Sequence, residues 1–111
     1  MQLQTSELLR IFVGEQVRFG HSPLYEEIVR EARHYGLAGA TALRGVLSYG
    51  HDMLIKTSKI MEFGTNLPMV IEIIDSAEKI DGFLSIISQM VKDASGRVMI
   101  TREQVRAGII E

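Results

Sequence analysis

The stretch "LPMVIEIIDSAEKIDGFLSIISQMV", residues 67–91, sets one regular element directly against another of a different period. Met69-Val70-Ile71-Glu72-Ile73-Ile74 is dense in β-branched residues and contains no glycine, which predicts a strand entered from Leu67-Pro68. Asp75-Ser76-Ala77-Glu78 has the form of a capping box, with Asp75 at the N-cap and Glu78 at the third helical position. Ile80, Phe83, Leu84, Ile87, Met90 and Val91 then keep the spacing of one helix face. Beyond them Ser95-Gly96 is a turn and Arg97 to Ile100 a short last strand, with 101–111 a tail of unassigned form.

The first half of the chain shows the same alternation. Leu8 to Val13 predicts a strand closed by Gly14. Ser22 and Pro23 stand as N-cap and first helical residue. Leu24, Ile28, Ala32 and Tyr35, flanked by Tyr25 and Val29, form the apolar stripe, and Gly36 is the stop. Ala40 to Tyr49 predicts a second strand. In 50–66, Leu54-Ile55 and then Ile60, Met61 and Phe63 suggest short extended pieces around a flexible loop. The order β-α-β-β-α-β is that of an α+β, ferredoxin-like sandwich: a four-stranded antiparallel sheet with two helices on one face.

A chain of 111 residues is the size of one domain, here 1–111 with a core of about 8–105, and it can bury a core without disulfides. It contains no cysteine, which removes thiol catalysis and cysteine-bound zinc. A net charge of −2 argues against nucleic acid as a partner. With no leading signal pattern and no apolar run near the roughly 20 residues of a membrane helix, the expectation is a cytoplasmic protein, not membrane-embedded.

Two helices cover only one face of such a sheet. Period-2 alternation assigns Leu9, Ile11, Val13, Leu43, Leu47, Met69, Ile71 and Ile73 to the helix face. The other face then carries Leu8, Arg10, Phe12, Ala40, Ala42, Arg44, Val46, Val70, Glu72 and Ile74, too apolar for a solvated surface. Glu72 is expected between Arg10 and Arg44, and Arg10, Phe12, Arg44, Val46, Val70 and Glu72 are expected at a contact between copies of the chain, a homo-oligomer. Gly45 is expected to let a helix pack closely over its strand.

Motifs for chemistry are sparse. Lys56-Thr57 lacks the glycine spacing of a phosphate-binding loop, and Gly36, Gly39, Gly45 and Gly50 do not make a dinucleotide fingerprint. His21, His34 and His51 show no ligand spacing, and His51-Asp52 is the best of the metal candidates only if another subunit completes it. Glu72 and Asp75, three apart on a strand, point to opposite faces, and no serine sits in an evident triad. No enzyme, no metal site and no particular cofactor is indicated. Lys56, Arg97, Arg102 and Arg106 are the cations to place near an anionic ligand, with Gly96 offering backbone N–H groups.

The segments "LLRIFVGE", "PLYEEIVREARHYGLAGATALRGVLSYG", "NLPMVIEIID" and "AEKI" resemble, in this order and from about Leu8 to Val105, the PII-like family known as domain of unknown function 190. The resemblance implies a homotrimer with inward-facing sheets, as in PII signal-transduction and CutA-type proteins. It implies a signalling role: a small anionic ligand, a nucleotide first among candidates, in clefts between subunits, and a protein partner met by the 50–66 loop. By that analogy Gly50, His51, Lys56, Gly96, Arg97 and Arg102 are the ligand-binding residues. The phosphate signature of PII is reduced here to Asp93-Ala94-Ser95-Gly96-Arg97. The same resemblance leaves two alternatives: divalent-metal handling of the CutA kind, and an accessory subunit of a membrane transporter or channel.

Overall fold

A computed structural model describes residues 1–59 and 66–111. In chain order the elements are β1 (Gln4–Gly14), β2 (Arg18–Phe19), β3 (Ser22–Pro23), α1 (Leu24–Tyr35), β4 (Thr41–Arg44), β5 (Leu47–Ser48), β6 (Lys56–Thr57), β7 (Pro68–Asp75), α2 (Ala77–Asp93) and β8 (Met99–Ala107). β4, β7, β1 and β8 lie side by side in that order, all antiparallel. The expected α+β ferredoxin-like architecture is therefore present, with the two most hydrophobic strands, β1 and β7, at the centre. β2 pairs with β3, and β5 with β6, as separate two-residue ribbons.

The core lies between one sheet face and the two helices. Leu9, Ile11, Val13, Ile71 and Ile73 meet Leu24, Ile28 and Ala32 of α1 and Ile80, Phe83, Ile87 and Met90 of α2. Leu84 and Val91 pack at its margin, so the whole predicted stripe of α2 is used. The Tyr35 ring lies 5.8 Å from that of Phe83, joining the two helices.

Several boundaries differ from the sequence reading. β1 begins at Gln4 and β8 runs to Ala107, because Gln4–Phe12 and Met99–Ala107 pair along their whole length. Their polar side chains gave no apolar alternation, yet charged contacts hold them: Arg102 bonds Glu7 and also Asp81 of α2, and Arg10 bonds Glu103. Ser22 is not a helix cap. It pairs with Phe19, the N-cap is Pro23 without a side-chain bond, and the Leu24 N–H donates to the Val17 carbonyl. Asp75 is not the cap of α2 either. It is still paired in β7, so Ser76 takes that place and accepts from the Lys79 N–H at 3.3 Å. The Asp75 carboxylate instead accepts from the Ser76 and Ala38 N–H groups, tying the segment after α1 to the start of α2.

Gly36 does end α1. It sits at φ 94°, and its N–H donates to the Ala32 and Arg33 carbonyls. A β-carbon is disfavoured in that conformation, so Gly36→Ala is expected to cost about 1 kcal/mol, read as a lower urea midpoint with unchanged slope.

The predicted strand 40–49 breaks at Gly45. The Gly45 N–H donates to the Pro68 carbonyl at 2.8 Å, and a β-carbon there would lie 2.9 Å from Pro68 Cγ. The close neighbour is thus Pro68 of β7, not a helix. The phase of this strand is also the reverse of the expectation. Thr41 faces Glu72 and Leu43 faces Val70, whereas Ala42 faces Ile71 and Arg44 faces Met69. Cross-strand partners share a face, so Ala42 and Arg44 lie on the helix side, where Ala40 packs against the core. Leu43, 51 % exposed, belongs to the open face, and Leu47 is likewise exposed. Arg44 therefore does not meet Glu72; it reaches Glu15. Leu54-Ile55 precede β6 as irregular chain, and Ile60, Met61 and Phe63 lie outside the described residues.

Candidate functional site

The face away from the helices is open and largely apolar. β1 contributes Leu8, Arg10 and Phe12; β7 contributes Val70, Glu72 and Ile74; β4 adds Leu43 and β8 adds Met99. Leu43, Ile74 and Met99 are exposed, and Leu8, Phe12 and Val70 are half-buried by their neighbours. Arg10 stands at the centre. Its Nε donates to Glu72 at 2.9 Å and its Nη1 to Glu103 at 2.8 Å, and these two carboxylates raise the guanidinium pKa. Of the expected contact residues, Arg10, Phe12, Val70 and Glu72 share this face. Val46 is exposed just past β4, and Arg44 lies on the reverse side.

At one end of the same face three strand ends meet: Gly14 closes β1, Gly45 follows β4 and Pro68 opens β7. The chain between Gly45 and Pro68 leaves the sheet there, and beside it opens a cleft of about 690 Å³. Phe12, Val70, Pro68 and Met99 give it an apolar wall. Gly50, His51, Lys56 and Arg97 line it from the loop and from the approach to β8.

Four of the six expected ligand residues thus come together from two separate parts of the chain. Gly96 neighbours Arg97 without lining the cleft, and its N–H donates to the Val91 carbonyl at the end of α2. Arg102 lies elsewhere, opposite Leu9 and committed to Glu7 and Asp81, which push its pKa up further. Arg106, opposite Thr5, is also outside the cleft.

The loop's first turn is built by local polar contacts. The Met53 N–H donates to the Gly50 carbonyl, with Met53 at φ 62°. Asp52 accepts from the Leu54 N–H at 3.0 Å and from Lys56 Nζ at 3.2 Å. The Leu54 amide first, and Lys56 second, hold the Asp52 carboxyl below its ordinary pKa. An exposed ion pair of this kind contributes little, so Lys56 can exchange Asp52 for a stronger anion at small cost. Arg97 makes no ion pair among the described residues.

Tyr49, Asn66 and Gly14 also line the cleft, and sequence reading missed all three. Tyr49 stands beside Gly50, which was a usable signal. Asn66 and Gly14 meet only through the β1–β7 pairing, which brings residues 52 positions apart into contact. Among the described residues no set of three His, Asp or Glu gathers as a metal site, around His51 and Asp52 or elsewhere. Among the same residues, no helix is long and apolar enough to cross a membrane.

Strand order, helix placement and a cleft at the strand ends together define a PII-like fold. The structure matches a putative PII-like signaling protein from Thermus thermophilus over 96 % of this chain and 93 % of that one, with a TM-score of 0.66 at 19 % identity. It also matches CPII, a nitrogen regulatory PII-like protein from Thiomonas intermedia K12 solved with ADP, AMP and bicarbonate. That match covers 94 % of this chain and 91 % of that one, with a TM-score of 0.64 at 16 % identity. At these identities the likeness is one of fold. The chain belongs to the DUF190 family (Uncharacterized ACR), whose model matches residues 6–107. A UPF0166 protein of Aquifex aeolicus is 39 % identical over 84 residues, 76 % of this chain and 80 % of that protein.

Proposed function

We propose that this chain is a PII-like regulatory protein, not an enzyme, that binds a small anionic ligand in the cleft between Phe12, His51, Lys56 and Arg97. The observation that carries this reading is the pairing of an apolar wall with convergent cations. Phe12, Val70 and Met99 suit a flat apolar group such as a nucleobase, and Arg97 and Lys56 suit phosphate or carboxylate oxygens. CPII, alike in fold, holds ADP, AMP and bicarbonate, which makes these the first ligands to try.

The open apolar face supports assembly as a homo-oligomer, a trimer by likeness to PII proteins, in which a neighbouring subunit closes the cleft. Tyr49, Met53, Leu54 and Ile55 are all exposed along the loop, which suits contact with a protein partner. Ligand contacts made in only one arrangement of 50–66 would shift the loop toward that arrangement and so report occupancy to the partner.

Calorimetric titration with AMP, ADP and ATP tests the ligand reading. Binding is expected for at least one of them, and Arg97→Ala is expected to weaken it by roughly tenfold or more, the loss of a charge-assisted contact. Absence of binding by all three, or equal binding by the Arg97 variant, would overturn it.

A further inference from the structure

The cleft is lined by a loop whose two stems converge on one side chain that sequence reading gave no role. Glu15 follows directly on β1. Its Oε2 accepts from Arg44 Nε at 2.8 Å and its Oε1 from Arg44 Nη2 at 3.0 Å, a two-bond contact with the last residue of β4. The same Oε1 accepts from the Leu67 N–H at 3.4 Å, and the Glu15 N–H donates to the Leu67 carbonyl at 2.9 Å. Arg44 is where the chain leaves the sheet and Leu67, fully buried, is where it returns. One carboxylate therefore touches both stems.

The surroundings leave this junction little freedom. A β-carbon on Gly14 would lie 2.6 Å from the Asn66 amide, and Asn66 Oδ1 accepts from the Gln16 N–H at 2.9 Å. A β-carbon on Gly45 would lie 2.9 Å from Pro68 Cγ. Gly14, Gly45, Asn66 and Pro68 all line the cleft, so the junction borders it. β5 and β6 pair with each other, Leu47 with Thr57 and Ser48 with Lys56. The Arg44 guanidinium holds the Glu15 carboxyl below the usual carboxylate range, as expected for a group used in its ionised form.

We infer that Glu15 is a positioning residue: by clamping Arg44 and Leu67 to the end of β1, it sets the direction in which the 46–58 segment leaves the sheet and so holds His51 and Lys56 at the cleft. The clamp itself is read from contacts in the free chain. Its consequence for ligand binding rests on the reading of the cleft as an anion site.

Hydrogen exchange followed by mass spectrometry on the intact protein tests it, using Glu15→Gln, Arg44→Ala and the double variant. Glu15→Gln keeps the size of the side chain and removes the charge. Arg44 is largely exposed, so its truncation leaves the core intact. In either single variant, peptides covering 46–58, which include the Met53 and Ser58 amides bonded to Gly50 and Val46, are expected to exchange about tenfold faster. Peptides of α2 are expected to be unchanged, and the double variant to exchange no faster than the singles, since both remove one contact. Unchanged exchange in 46–58, or equal acceleration in α2, would overturn the inference. In the same variants, affinity for whichever nucleotide the wild type binds is expected to fall at least fivefold. A wild type that binds no nucleotide would overturn the ligand reading, while the exchange pattern would still decide the clamp.

Discussion

Replacing Val70 by glutamate is expected to convert the proposed oligomer into a folded monomer, read by light scattering coupled to size exclusion at micromolar concentration. Val70 lies on the open face toward its cleft end, opposite Phe12 on one side and Leu43 on the other. In a single subunit it is half-buried and outside the core, so a longer polar side chain can reach water and the fold should survive. Between subunits the same carboxylate would be buried beside Glu72, whose partner Arg10 is already shared with Glu103. Burying an unpaired charge costs several kcal/mol per subunit, and each ~1.4 kcal/mol is tenfold in dissociation. The dissociation constant should therefore rise by at least about a hundredfold, with the far-UV circular dichroism unchanged. A monomeric wild type, or a Val70 variant that keeps the oligomer's mass, would show that this face does not join subunits.

Phe83→Ala should produce the largest loss of stability of any single truncation in α2. Phe83 has no exposed surface, sits where both helices meet the sheet, and stacks at a tilt against Tyr35. Truncating a buried phenylalanine removes its transfer free energy and leaves a cavity, together about 3–5 kcal/mol. A domain of this size holds roughly 5–15 kcal/mol in all, so the expected fall in melting temperature exceeds about 10 °C. Wild type and variant need equal protein concentration, since the proposed assembly would contribute to the apparent stability. A loss below about 1 kcal/mol would contradict the core described above.

The regular centre of the fold was open to sequence reading because its residues satisfy local and global demands together. The strand 69–74 and the stripe from Ile80 to Val91 are apolar at the period of the element they form, and both are buried as that period requires. Gly36 stops α1 for a reason internal to the backbone. The reading failed where the local pattern was weak or had a rival. Ser22 suits an N-cap, yet it pairs with Phe19 and Pro23 takes that place. Asp75 suits a cap, yet the strand keeps it and Ser76 takes over.

Strand β4 is the most instructive miss. Its one large apolar residue, Leu43, suggested the core face, but β4 is an edge strand with little helix above it. Hydrophobicity therefore does not fix its phase; pairing with β7 does, and a shift of one residue exchanges both faces. That single shift moved Arg44 from Glu72 to Glu15, and so from the open face to the foot of the loop. The cleft was legible in part. Gly50, His51, Lys56 and Arg97 were named as ligand residues through the family likeness, while Asn66 and Gly14 were not, because nothing near them in sequence marks what they touch.

Residue order alone determined the alternation of strands and helices, the identity of the buried stripes and the surplus of apolar residues on the uncovered sheet face. Those properties follow from periodicity and burial, which act over a few residues at a time. Tertiary structure alone decided which cations share a cleft, which carboxylates Arg44 and Arg102 meet and that the ends of β1, β4 and β7 form one junction. Each of these depends on strand register, and register is a contact between residues far apart in the chain, set by the whole sheet and not by the neighbours of any one residue.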